Sequence, residues 1–118
     1  MFEVHYETTP DYDLCRPSGD LDSSTAPTLR EELGRHPSPK RLIVDLGGVP
    51  FIDSAGLGAL IGGIRRVRED GGEVALAAPR REVMTVLRTT GFDRMLPVTA
   101  TLEEAAAALT EDASQPRA

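Results

Sequence analysis

The run Arg41-Leu42-Ile43-Val44-Asp45-Leu46 constrains this chain more than any other segment. It is short, β-branched and almost continuously apolar, so it reads as a central strand buried on both faces. Such a strand needs partner strands beside it and helices across the sheet. Glu73-Val74-Ala75-Leu76-Ala77 has the same character. Phe2-Glu3-Val4-His5-Tyr6 instead alternates apolar and polar residues, as a half-buried strand does. Tyr12 to Arg16 suggests another strand, and the Pro10-Asp11 turn joins the two as an antiparallel hairpin ending near Pro17-Ser18-Gly19. Leu96-Pro97-Val98 reads as a short strand, placed at an edge because proline cannot donate to a ladder.

Helical spacing fills the intervals. The first helix is expected over Ala26 to Arg35, with Thr25 as cap, Leu29 and Leu33 on one face, and Pro37 and Pro39 beyond its end. The second runs from about Ala55 to Glu69 and places Leu57, Leu60, Ile61, Ile64 and Val67 inward. Arg65, Arg66 and Arg68 then form its wet face, and Asp70-Gly71-Gly72 stops it. The third spans Arg81 to Thr89 with Val83, Val86 and Leu87 inward, stops at Gly91, and lets Phe92 fold back. The fourth follows Thr101, which has capping-box spacing to Glu104. The expected fold is a single α/β domain: a small mixed sheet of about five strands, partly parallel, covered by about four helices. The domain is placed at residues 1–110 and a frayed polar tail at 111–118.

Composition narrows the function classes. The 118 residues suffice for one domain, and with no Trp and 4% aromatics the core rests on Leu, Val, Ile and Ala. A net charge of −6 disfavours unaided binding to nucleic acid or an anionic membrane. Cys15 stands alone, which excludes an internal disulfide, and its apolar neighbourhood suits a buried small hydrophobe. The N-terminal residues lack the pattern of a signal peptide and no apolar run is long enough to span a bilayer, so the cytoplasm is the expected location. His5 and His36 lack paired metal spacing and are expected at the surface; neither a metal nor a cofactor is expected.

The chemistry-bearing segment is Val49-Pro50-Phe51-Ile52-Asp53-Ser54-Ala55-Gly56-Leu57-Gly58. It puts one hydroxyl, that of Ser54, at a helix N-terminus, where backbone N–H groups are unpaired and the dipole favours an anion. A phosphate on Ser54 would meet a favourable field. Taken alone, Ser54 and Asp53 are both ordinary cap residues, Asp22 an ordinary turn residue and Asp20 a solvated loop charge. Gly56, Gly58, Gly62 and Gly63 each weaken a helix by about 0.5–1 kcal/mol against alanine, so something must offset them. Close approach of a partner to Ser54 is expected at the first two, and tight packing on the sheet at the last two.

Asp53-Ser54-Ala55-Gly56-Leu57-Gly58 after Leu42-Ile43-Val44-Asp45-Leu46 resembles the signature of the STAS-domain anti-sigma factor antagonists. Gly19-Asp20-Leu21-Asp22, Gly71-Gly72-Glu73 and Thr90-Gly91-Phe92 match three further elements in the right order, so the resemblance covers roughly Val4 to Leu109. It implies a STAS-like fold and a partner-switching role. An unphosphorylated antagonist binds an anti-sigma factor serine kinase and frees a sigma factor; phosphorylation of the motif serine, here Ser54, ejects it; a PP2C-type phosphatase resets it. The same resemblance implies partner contacts at Asp22, Asp53, Ser54, Ala55, Gly56, Leu57 and Gly58, in a non-enzymatic protein; a monomer is the default expectation. Ala55 departs from the family, many of whose members carry a second hydroxyl there.

Two rivals belong to other classes. A hydrolase nucleophile elbow wants glycine two residues before the serine, where this chain has Ile52, and both histidines precede Ser54. The glycines of the second helix lack the Lys-Ser/Thr of a P-loop, and Asp45 lacks the acidic cluster of a response-regulator acceptor. A constitutive STAS binding or scaffold module, without a phosphorylation cycle, is the remaining alternative.

Overall fold

Ile43 packs on one face of a sheet and Leu42 and Val44 on the other, and all three are buried. The computed structural model describes the backbone of residues 1–114 and the side chains of residues 1–109. Strands β1 (Glu3–Thr8), β2 (Asp13–Ser18), β3 (Arg41–Asp45), β4 (Glu73–Ala77) and β5 (Val98–Thr99) lie in that order across one sheet. β1 pairs antiparallel with β2, and every other pairing is parallel. Helices α1 (Ala26–Arg35), α2 (Ser54–Glu69) and α3 (Arg81–Thr89) share a core with Cys15, Leu42, Val44, Val74 and Leu76. Helix α4 (Leu102–Ser114) closes the opposite face, where Ala105 and Leu109 meet Leu14, Ile43, Ala75 and Ala77. Each fully buried Leu, Ile or Val in these layers contributes about 1.5–3 kcal/mol relative to exposure.

The element ends follow local chemistry. Thr101 and Glu104 form the expected reciprocal box: the Glu104 N–H donates to Thr101 Oγ1 and the Thr101 N–H to Glu104 Oε1, both at 3.1 Å. Gly71 takes φ +88° after α2 and Gly91 φ +76° after α3, conformations that disfavour any side chain. Phe92 folds back into the core through a 3-10 turn, Phe92–Arg94. Residues 111–114 of the expected tail continue α4, while residues 115–118 lie outside the described residues.

Several local expectations need correction. Thr25 holds the cap position of α1 without capping it; its hydroxyl donates to the Asp20 carbonyl at 2.8 Å and accepts from the Asp22 N–H at 2.9 Å. His36 is half-buried, stacked on Tyr6 with ring centroids 3.7 Å apart and bonded to Glu32 at 2.8 Å. Arg66 turns away from solvent and donates to the Leu33 carbonyl at 2.6 Å, tying α2 to α1. Gly63 packs against α1 rather than the sheet, since a Cβ there would meet Leu33 Cδ1 at 2.4 Å, whereas Gly62 faces open space.

Cys15 is fully buried, and burial, with a smaller contribution from the Glu32 charge, pushes its thiol from 9.0 up to about 12. A neutral thiol favoured by the fold stabilises it fully below the unfolded value, and that stability is lost as pH rises from 9.0 toward 12. Iodoacetamide at pH 8 is therefore expected to leave native Cys15 unlabelled over hours and to label it rapidly once the chain is denatured. Rapid labelling of the native protein would contradict this burial.

Candidate functional site

The carboxyl ends of β2 and β3 run on into two loops that stay side by side. The Gly19 N–H donates to the Gly48 carbonyl at 2.9 Å. Leu21 then bridges Ile52: its N–H donates to the Phe51 carbonyl at 2.9 Å, and its carbonyl accepts from the Asp53 N–H at 3.1 Å. Leu21 and Ile52 are both buried, so this seam is anchored by core side chains as well as by backbone bonds. Helix α2 starts one residue after it.

The fit between seam and helix is tight at Gly56. A Cβ on Gly56 would sit 2.0 Å from the Leu21 carbonyl oxygen and 2.5 Å from its carbon. That overlap is with backbone, which cannot swing aside. Gly56 and Leu57 are buried in the free domain, and both serve its internal packing. Gly58 lies on the exposed side with nothing within 4 Å of a built Cβ. Ser54 is exposed as well, and Asp22, Asp53 and Ala55 are half-buried.

The cap of α2 is Asp53. Its backbone is extended, and its Oδ1 accepts from the Gly56 N–H at 2.9 Å. Its carbonyl accepts from the Leu57 N–H at 2.8 Å. The Ser54 hydroxyl makes no hydrogen bond among the described residues, and neither do the N–H groups of Ser54 and Ala55. Ser54 is thus the first residue of the helix, not its cap. An accessible nucleophilic oxygen stands beside two unpaired donors in the positive field of a helix end. The neighbouring Asp53 carboxylate partly offsets that field.

Asp22 orders the other loop. Its Oδ1 accepts from the Ser24 hydroxyl at 2.7 Å, the Ser24 N–H at 3.0 Å and the Thr25 N–H at 3.2 Å. The Ser24 hydroxyl holds the Asp22 carboxyl below its usual range against an opposing desolvation, with the Ser24 and Thr25 N–H groups and the Thr25 hydroxyl assisting. It therefore stays ionised in neutral solution, one residue from the Leu21 seam, and makes no hydrogen bond to Ser54. Asp20 is exposed. Asp45 pairs with Arg16 at 3.5 Å and accepts from the Gly47 N–H, a structural arrangement.

Phe51 was not singled out from sequence, yet it is 49% exposed three residues before Ser54. The signal was available: in an extended segment an inward Ile52 sends its neighbour outward. Among the described residues no group of three His, Cys, Asp or Glu side chains is placed to hold a metal ion. No described helix is long and apolar enough to cross a membrane.

Two pairs of variants separate these roles. Gly56→Ala is expected to cost about 1–3 kcal/mol through overlap with the Leu21 backbone, and Gly58→Ala to stabilise by about 0.5–1 kcal/mol. Asp53→Ala should cost about 1 kcal/mol as a lost cap, while Ser54→Ala stays within about 0.5 kcal/mol of wild type. Urea denaturation of the four proteins checks both pairs; a Ser54→Ala loss equal to that of Asp53→Ala would make the serine a structural cap.

The family profile described as STAS domain matches residues 4–105. The Bordetella bronchiseptica protein BtrV, assigned as an anti-sigma factor antagonist, is 33% identical over 92 residues, covering 76% of this chain and 79% of that protein. The crystal structure of an anti-sigma factor antagonist from Mycobacterium paratuberculosis superposes with a TM-score of 0.84 at 27% identity, covering 93% of this chain and 95% of the other. The STAS domain of a SulP transporter from Vibrio cholerae shares the fold at a TM-score of 0.66 and 24% identity, over 92% of this chain and 89% of that one.

Proposed function

The chain belongs to the STAS domain family, and from that premise we propose that it is an anti-sigma factor antagonist whose binding to an anti-sigma factor kinase is switched off by phosphorylation of Ser54. One observation carries this reading: Ser54 is an exposed, unengaged hydroxyl at the first position of α2, held there by a rigid seam. Relatives named as anti-sigma factor antagonists support the class of partner.

The chemistry of the switch is a phosphoryl transfer carried out by the partner. Ser54 Oγ attacks the γ-phosphorus of the kinase-bound ATP, the bond from that phosphorus to the ADP oxygen breaks, and the hydroxyl proton passes to a base of the kinase. This chain supplies position rather than catalysis. Phosphorylation adds about 1.5 to 2 negative charges. They arrive beside Asp53, whose N–H is bonded to Leu21, the residue between Asp20 and Asp22. A kinase surface fitted to a neutral hydroxyl then meets like charge and an added desolvation cost. Inside the free domain the unpaired N–H groups and the helix field accommodate the same charge, so association changes while the fold persists. A PP2C-type phosphatase, hydrolysing the phosphoserine ester, restores the binding form. The protein itself is read as non-enzymatic, acting in the cytoplasm as a monomer in a stress-linked transcription circuit.

The occurrence of the fold in a SulP transporter keeps a second reading in view, a constitutive STAS module with no phosphorylation cycle. Co-purification with wild-type and Ser54→Asp baits, followed by incubation of the recovered kinase with ATP and mass spectrometry, separates the two. The expected outcome is an ATP-binding anti-sigma kinase retained by wild type alone, which adds one phosphate at Ser54. Equal retention by both baits with no added phosphate would favour the constitutive module.

A further inference from the structure

A patch made of Ser54 and its loop neighbours is small against the roughly 800 Å² per partner that a stable interface buries. The surface that the serine switches must extend, and α2 sets the direction. At 3.6 residues per turn, Ser54, Gly58, Ile61, Arg65 and Arg68 fall within an arc of about 80°, forming a stripe about 21 Å long. Ser54, Gly58, Arg65 and Arg68 are exposed and Ile61 is half-buried.

At its far end the stripe opens into a notch of about 300 Å³ between α2 and the 3-10 turn Phe92–Arg94. Ile61, Phe92 and Met95 give it an apolar lining, and Arg65, Arg68 and Glu69 supply its charges. Met95 is 57% exposed. Among the described residues neither Arg65 nor Arg68 forms an ion pair, although the chain as a whole carries −6. The stripe is therefore bipolar: the Asp53 carboxylate beside Ser54, with Asp20 and Asp22 flanking the Leu21 seam bonded to Asp53, and two unpaired guanidinium groups some 20 Å away along the helix.

We propose that the notch is the second anchor of the Ser54-switched interface, and that it receives an apolar side chain flanked by carboxylates from the anti-sigma partner. This rests on the kinase-binding reading above. The charge pattern selects the occupant: a segment that is acidic at this end fits Arg65 and Arg68, and the flexible thioether of Met95 adapts to an inserted apolar group. Opposite charges at the two ends also fix the direction in which the partner lies along α2.

Stopped-flow binding to the anti-sigma kinase recovered with wild-type bait tests this. The Arg65→Glu/Arg68→Glu variant is expected to lower the association rate about tenfold at low salt, with the deficit shrinking in 0.5 M salt, because exposed charges act by steering. Met95→Asp is expected to raise the dissociation rate about tenfold, and Met95→Ala by a smaller factor in the same direction. Arg30→Glu/Lys40→Glu, the same charge change away from the stripe, should stay within about twofold of wild type. All the substituted side chains are exposed, and equal melting temperatures verify that the variants are folded. Wild-type rates for the notch variants, while Ser54→Asp no longer binds, overturn the second anchor and leave the proposed function standing. If wild type binds no such kinase, both readings fall together.

Discussion

The contact between Gly56 and the backbone of Leu21 is the constraint from which the site follows. Helix α2 can begin where it does only because residue 56 has no Cβ, as even one methyl would overlap the Leu21 carbonyl. The same Leu21 exchanges hydrogen bonds with Phe51 and Asp53, so helix start and flanking loops form one unit. With Leu21, Ile52 and Leu57 facing the core, the intervening Ser54 is left at the surface. The exposed hydroxyl is thus a product of how the interior is packed. It needs no strained residue: the non-glycine residues of the segment 51–58 all avoid positive φ.

Electrostatics suit this position to the proposed switch. The first turn of α2 presents two unpaired N–H groups and a carboxylate cap side by side. A neutral hydroxyl there perturbs little. A phosphate would be compatible with the donors and the dipole, yet would concentrate negative charge on a surface already acidic. Under the proposed function the local fold and a docked partner would respond to the same group with opposite preference, which is what a reversible association switch requires. A difference of about 2.7 kcal/mol between the two forms corresponds to a hundredfold change in affinity.

Elements governed by local rules were legible in the sequence. The apolar run at Leu42–Val44 dictated a covered central strand, the Thr101/Glu104 spacing a capping box, and Gly71 and Gly91 the helix ends; each needs only neighbours in the chain. The position of Ser54 was legible for the same reason. What escaped depends on partners distant in sequence. Gly56 reads as a flexible or accessible glycine until Leu21 lies against it. Arg66 reads as one of three solvated arginines until the Leu33 carbonyl offers an acceptor. His36 reads as a surface residue until β1 brings Tyr6 beneath its ring. The notch beside Met95 joins two segments some thirty residues apart, and no periodicity within α2 announces it.

The central claim is that a phosphate on Ser54 alters association without altering the fold. The most direct measurement places phosphoserine at position 54 by genetic incorporation and records, on one sample, the thermal midpoint and the calorimetric affinity for the anti-sigma kinase. The account predicts a midpoint within about 3 °C of the unmodified protein and affinity reduced about a hundredfold or more. Unchanged affinity, or a loss of affinity accompanied by unfolding, would contradict it.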